Sequence, residues 1–276
     1  MKTRILSGLI MLPLLVFLWL GGKWLLLACF AVALMGVREF YNGFRKMGVS
    51  PCAPIGYAAA FCLYTLGLFL LSSPTGTEYI YPLYMLWFFG VTVASLLVLF
   101  KIEKRTLSDG MATLTGVFYV VFFSFHVVLV DSFFGIAVWL IVLTAFGTDI
   151  MAYFSGMAFG KHKLCPKISP KKTIEGSVGG ILGSMVLCLL FAHFFLTDFS
   201  DKAMLMGLVI GLLGGIISQF GDLTASIFKR HMGIKDYGNL IPGHGGILDR
   251  FDSVLFTAPM VFYVLWIWNL ICPFGW

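Results

Sequence analysis

Apolar residues in this chain come in long unbroken runs, separated by short clusters of charged and turn-forming residues. The runs predict membrane spans near residues 5–21, 24–41, 55–72, 79–100, 109–130, 135–157, 174–195, 203–222 and 251–272. Each approaches the length a helix needs to cross a bilayer core, about 20 residues. Nine such spans occupy roughly 180 of the 276 positions. The remainder is divided among short loops, so no separate soluble domain fits. Any active site must be assembled from helix ends and the loops that join them.

Composition agrees. Hydrophobic residues make up 59% of the chain and charged residues 12%, and the mean hydropathy is +0.95. A soluble globular domain carries about twice that charged share. The expected fold class is therefore all-α, a polytopic integral membrane protein with about nine transmembrane helices. Met1-Lys2-Thr3-Arg4 before an apolar run has the look of a secretory signal, but no Ala-x-Ala cleavage site follows and the run ends in Gly21-Gly22-Lys23. A retained first span is expected.

Charge placement sets an orientation. With a cytosolic N-terminus, the nine spans put Lys23 and Lys202 outside and the other 17 of the 19 Lys and Arg inside. The outer loops carry Glu78, Asp131, Asp198 and Asp201 instead. This is the positive-inside pattern. The net charge of +6 then reads as a basic cytosolic face suited to anionic headgroups or phosphates. Nucleic acid is not an expected partner, because no basic domain exists to hold a duplex. The six cysteines lack Cys-x-x-Cys spacing and mostly fall within spans. They read as small apolar packing residues rather than a disulfide framework or zinc site.

Two regions differ in chemistry. Residues 1–130 form an expected N-terminal membrane scaffold of about five helices. Its charge clusters, Arg38, Glu39, Arg45 and Lys46 and then Lys101, Glu103, Lys104 and Arg105, read as membrane-surface anchors. Asp109 reads as an ordinary N-cap. Residues 131–276 are the expected catalytic membrane region, with cytosolic-face loops 157–175 and 223–250. Glycine rises there, at 176, 179, 180 and 183 and again at 207, 211, 214, 215 and 221. Small residues at this spacing let transmembrane helices approach closely.

The chemistry-bearing residues gather in three stretches. Ser218, Asp222, Ser226 and Lys229 follow the spacing of one helix face. A carboxylate at the depth of Asp222 is costly and faces a polar cavity or pairs with a cation such as Arg230 or a neighbouring lysine. Asp249 and Asp252 open the last span on one face, where helix capping is an alternative role for one of them. Pairing Asp222 with Asp249 offers two hard oxygen ligands at helix ends, the kind of site Mg2+ prefers. Between them, Pro242-Gly243-His244-Gly245-Gly246 is either an anion-binding nest or a plain tight turn. The third stretch is Ser169-Pro170-Lys171-Lys172-Thr173-Ile174-Glu175-Gly176, with Thr173 as N-cap and two lysines beside a helix N-terminus, either an anion site suited to a phosphate chain or an anchor of the loop on anionic lipid, as for Lys161, Lys163 and Lys167. Upstream, Asp149 and Tyr153 share a helix face. Asp149 is either a third acid of the site or a buried hydrogen-bond hub.

These stretches resemble the phosphatidate cytidylyltransferase family, the CDP-diacylglycerol synthases. The resemblance is carried by Ser226, Lys229, Arg230, Lys235, Asp236, Gly238, Pro242, His244, Gly245, Gly246, Asp249, Arg250 and Asp252, and by the Asp149/Tyr153 and 169–176 elements. By motif it covers roughly residues 145 to 255; the N-terminal half agrees only in hydropathy. The resemblance implies transfer of CMP from CTP to phosphatidic acid, giving CDP-diacylglycerol and pyrophosphate with Mg2+. It also implies a homodimer in a bacterial inner membrane or an organellar membrane. Asp222 and Asp249 would hold the metal, with Asp149 as a further candidate. Lys171, Lys172 and Arg250 would neutralise the triphosphate or the leaving pyrophosphate. Ser226, Lys229 and Arg230 would hold the lipid phosphate, and Lys235, His244, Gly245 and Gly246 complete the substrate-binding set. Two rivals stand beside this reading. A CTP-dependent lipid kinase would transfer the terminal phosphate instead of the nucleotide. A transporter would place its acids near the midplane with access from both sides.

Overall fold

A computed structural model describes residues 15–72, 76–197, 202–240 and 245–272. It is 82% helical, which places the protein in the all-α class. Residues 15–20 are helical, and Gly21 at φ +61° separates them from α1 (Gly22–Lys46). There follow α2 (Ala53–Ser72), α3 (Gly76–Leu97) and α4 (Leu107–Gly116), which passes through six residues of π-helix into α5 (Phe123–Phe134). Next come α6 (Trp139–Phe159), a short hairpin of β1 (Lys163–Cys165) and β2 (Ser169–Thr173), α7 (Ile174–Phe195), α8 (Ala203–His231) and α9 (Leu248–Ile271).

Among the described residues, seven helical segments are long and apolar enough to cross a membrane. The number differs from nine for two reasons. The predicted span at 5–21 lies mainly outside the described residues, and the predicted spans 109–130 and 135–157 fall in one helical segment of 53 residues, Leu107–Phe159. Within that segment Gly135, at φ +48°, begins a four-residue 3-10 turn. The hairpin was not expected. Its strands pair antiparallel, Lys163 opposite Thr173 and Cys165 opposite Ser169, and they are short and basic, so no hydrophobic alternation announces them.

The chain forms two compact units, one of residues 1–132 and 229–251, the other of 133–228 and 252–276. In the first, Val37, Phe40, Tyr41, Leu63 and Val120 are buried, and the Tyr41 hydroxyl donates to the Thr113 carbonyl at 2.8 Å. Thr106 is the N-cap of α4 and Asp109 its reciprocal partner. The Asp109 carboxylate accepts from Thr106 N–H at 2.8 Å and from Ser50 N–H at 2.5 Å. The acid expected to cap is thus the second member of a capping box.

In the second unit, close helix approach is set by glycine. A Cβ on Gly211 of α8 would stand 2.5 Å from the Met185 Cα of α7, and one on Gly215 would stand 2.8 Å from the Ile181 Cα. Main chain faces main chain here, the small-residue packing expected from the sequence. Buried Ser218 donates to the Ala145 carbonyl at 3.3 Å. All six cysteines are free thiols.

Candidate active site

The sequence puts Lys172 in a basic stretch before a helix and Asp222 on a helix face; the fold of the second unit joins them. Lys172 Nζ lies 2.5 Å from Asp222 Oδ2, with the two side chains 24% and 28% exposed. Asp222 therefore has the cation partner its depth demands, and the partner is Lys172. The strand carrying Lys172 runs into α7, whose N-cap is Thr173: its hydroxyl accepts from Gly176 N–H at 3.1 Å. Glu175 ties down the preceding loop. It accepts from Lys161 N–H at 3.1 Å and lies 2.7 Å from His162 Nδ1. Lys171 is exposed on β2.

The second pair belongs to the first unit. Lys229 Nζ lies 2.8 Å from Asp249 Oδ1, with side-chain exposures of 14% and 2%. The other oxygen, Oδ2, accepts Tyr237 N–H at 2.8 Å and Gly246 N–H at 3.0 Å. The Lys229 ammonium also stands 5.5 Å from the centre of the Tyr237 ring, a cation–π arrangement. Asp249 thus holds the loop to the helix that precedes it, a structural duty the sequence did not disclose. Gly245 at φ +85° must be glycine on two counts. Its backbone is left-handed, and a Cβ would stand 2.9 Å from Asp249 Oδ2.

Arg250 is half-buried, and its Nε is buried with no hydrogen-bond partner among the described residues. A guanidinium donor left this way is costly unless a ligand meets it. Ser226 is half-buried, Arg230 and Lys235 are exposed, and Asp252 is buried with its Oδ1 accepting Ser253 N–H at 2.8 Å. Asp149 is exposed. His244, Pro242 and Gly243 lie outside the described residues.

One residue was misread. Arg38, Arg45 and Lys46 are exposed, but Glu39, grouped with them as a surface anchor, is 8% exposed. It accepts Ile247 N–H at 3.0 Å and Leu248 N–H at 2.8 Å. A signal did exist: Glu39 shares its helix face with Gly36 and Gly43, at i−3 and i+4, so it points with small residues toward packed structure.

The donor set can be weighed against a divalent cation. Among the described residues no three His, Cys, Asp or Glu side chains cluster. A bound ion would take one or two carboxylates and fill its other positions with water and phosphate oxygens, the habit of Mg2+. Asp222 fits, being partly exposed and already holding a cationic group on one oxygen. Asp249 has the right charge, but its oxygens are engaged by Lys229 and two N–H groups. An ion there would share Oδ1 with the ammonium or replace it.

Fold and charged residues together define a multi-pass membrane protein with carboxylate–ammonium pairs and an arginine whose Nε has no partner among the described residues, equipment suited to phosphate groups. The chain matches the model of the cytidylyltransferase family over residues 2–268 and belongs to that family. It is 35% identical to a phosphatidate cytidylyltransferase of Synechocystis sp. over 292 aligned positions, covering 94% of each chain. It is 33% identical to one of Staphylococcus haemolyticus over 270 positions, 94% of this chain and 95% of the relative. A Staphylococcus saprophyticus relative of the same name is 49% identical over 114 positions, 41% of this chain.

Proposed function

We propose that the chain transfers CMP from CTP to phosphatidic acid, giving CDP-diacylglycerol and pyrophosphate for phospholipid synthesis. The observation that carries this reading is similarity to phosphatidate cytidylyltransferases over 94% of the chain. In the reaction an oxygen of the lipid phosphate attacks the α-phosphorus of CTP, and the bond to the β-phosphate oxygen breaks. The nucleophile is already anionic, so no strong general base is required. The barrier lies in bringing two polyanions together, which makes charge neutralisation and positioning the main tasks of the protein.

In this scheme Lys171, Lys172 and Arg250 neutralise the triphosphate and the departing pyrophosphate. The unmet Nε of Arg250 supports its place. Ser226, Lys229 and Arg230 hold the lipid phosphate, with Lys235, His244, Gly245 and Gly246 as further substrate contacts. Asp222 and Asp249 are the residues that would hold Mg2+, which supplies neutralisation of phosphate charge when bound; Asp149 remains a further candidate. Lys172 and Lys229 pair with those carboxylates, and in this scheme they exchange them for phosphate oxygens. The proposed setting is a bacterial cytoplasmic membrane, with the N-terminus and site on the cytosolic side and the protein a homodimer. Charge asymmetry supports the orientation. Cysteine labelling from either side of the membrane tests it, and the mass of the detergent-solubilised protein tests the dimer.

The deciding experiment uses purified protein in detergent with CTP labelled at the α- or γ-phosphate, phosphatidic acid and Mg2+. Label from the α-position in lipid, with pyrophosphate released, is expected. Label from the γ-position in lipid, with CDP released, would make the protein a kinase. Solute flux in proteoliposomes without nucleotide consumption would make it a transporter.

A further inference from the structure

An acid remote from the signature loop in sequence is built into it in space. Glu39 of α1 receives the backbone donors at the opening of α9, Ile247 N–H on Oε1 at 3.0 Å and Leu248 N–H on Oε2 at 2.8 Å. The positive end of a helix suits a carboxylate, and each donor met here is one a helix start leaves open. Asp249 holds the same segment through Gly246 N–H. The backbone from Gly246 to Leu248 is therefore held by two acids, one of them more than 200 residues away in the chain.

Two glycines answer to this carboxylate. A Cβ on Gly246 would stand 2.4 Å from Glu39 Oε2, and one on Gly238 would stand 2.5 Å from Oε1. Neither glycine is among those with positive φ, so backbone conformation does not require glycine at either place. A carboxylate at the end of a free side chain would swing aside. This one is buried and fixed by two N–H groups, so the space is closed.

We infer that Glu39 is a positioning residue for the transfer reaction. It sets the 246–248 backbone, and through it the orientation of Asp249 and Arg250, and it excludes any side chain at 238 and 246. It touches no substrate. The inference rests on the proposed function only for its turnover readout, since thermal stability tests it without substrate.

A double-mutant cycle decides it. Gly246→Ala alone should lower both turnover and the melting temperature of the purified protein. Glu39→Ala should lower kcat on the order of 10- to 100-fold, the scale of losing hydrogen bonds to a charged group, while the KM for CTP moves far less. The combined variant should be no worse than Glu39→Ala, because the obstructing carboxylate is gone. Glu39→Gln, with one acceptor oxygen instead of two, should fall between wild type and Glu39→Ala. If Glu39→Ala is not recovered folded, Glu39→Asp retracts the acid by one methylene and carries the same cycle. Gly246→Ala defects that persist undiminished beside a shortened residue 39 would overturn the inference, since glycine would then serve the approach of a ligand. So would Gly246→Ala indistinguishable from wild type. Wild-type protein that makes no CDP-lipid but shows the coupling in its melting temperature would sink the proposed function and leave the clamp standing.

Discussion

Asp249→Asn separates the structural duty of the loop aspartate from its proposed chemical one. The carboxylate takes the Lys229 ammonium on Oδ1 at 2.8 Å and two backbone N–H groups on Oδ2, at 2.8 and 3.0 Å. Asparagine keeps the shape but only one acceptor atom. Either the two N–H groups or the ammonium must lose its partner, and the ammonium also loses its counter-charge. With the side chains 2% and 14% exposed, water cannot make up the loss. Removing one member of a buried pair costs about 3–5 kcal/mol. At roughly 2–4 °C per kcal/mol for a chain near this size, the melting temperature should fall on the order of 10 °C. Asp222→Asn is the internal control. Its pair with Lys172 is about a quarter exposed on both sides, so solvent screening limits the cost to about 1 kcal/mol or less. Both variants should lose nearly all CMP transfer. Adding Lys229→Met to Asp249→Asn removes the stranded charge and should recover much of the melting temperature without recovering turnover. The assay is thermal melting of detergent-purified variants beside incorporation of α-labelled CTP into lipid. Equal melting losses for the two Asn variants would refute the structural reasoning, and retained turnover in either would refute the metal assignment.

Further outcomes follow from the same geometry. Lys172→Ala should shift the melting temperature by a few degrees at most, since its pair is partly exposed, yet lower turnover about 100-fold or more if it neutralises phosphate. Chelation of divalent ions should stop label transfer, and added Mg2+ should restore it; transfer that survives chelation would remove the metal from the scheme. Gly211→Ala should destabilise by about 1–3 kcal/mol, because its Cβ meets Met185 main chain at 2.5 Å. Gly90→Ala, with nothing within 4 Å of its Cβ, should melt like wild type.

The features that were readable in sequence are those whose interactions are local. Thr173 caps α7 through Gly176, three residues on, and Asp109 reaches Thr106 three residues back. The first follows from residue type beside an apolar run; the second was expected as a cap and is the partner of one. The hairpin before α7 was not readable, because its strands are too short and polar to carry a period-2 pattern. Its closure is fixed by contacts such as Ile174 N–H to the His162 carbonyl at 2.9 Å. Glu39 was misplaced for a related reason: three basic neighbours in sequence suggested solvent, while the helix turned the acid the other way.

What the amino-acid order alone determined is the class of protein and the family it resembles. Transfer of apolar surface out of water sums along a run of residues, so long unbroken runs commit the chain to the bilayer without reference to any partner. The stretch at 226–252 likewise carries the family resemblance wherever the helices come to rest. Only the tertiary structure decided which charge answers which. Lys172 meets Asp222, Lys229 meets Asp249, and Glu39 meets the start of a helix 208 residues downstream. An ion pair or hydrogen bond depends on a few ångströms of separation and on how much water is excluded, and both are products of packing between distant segments.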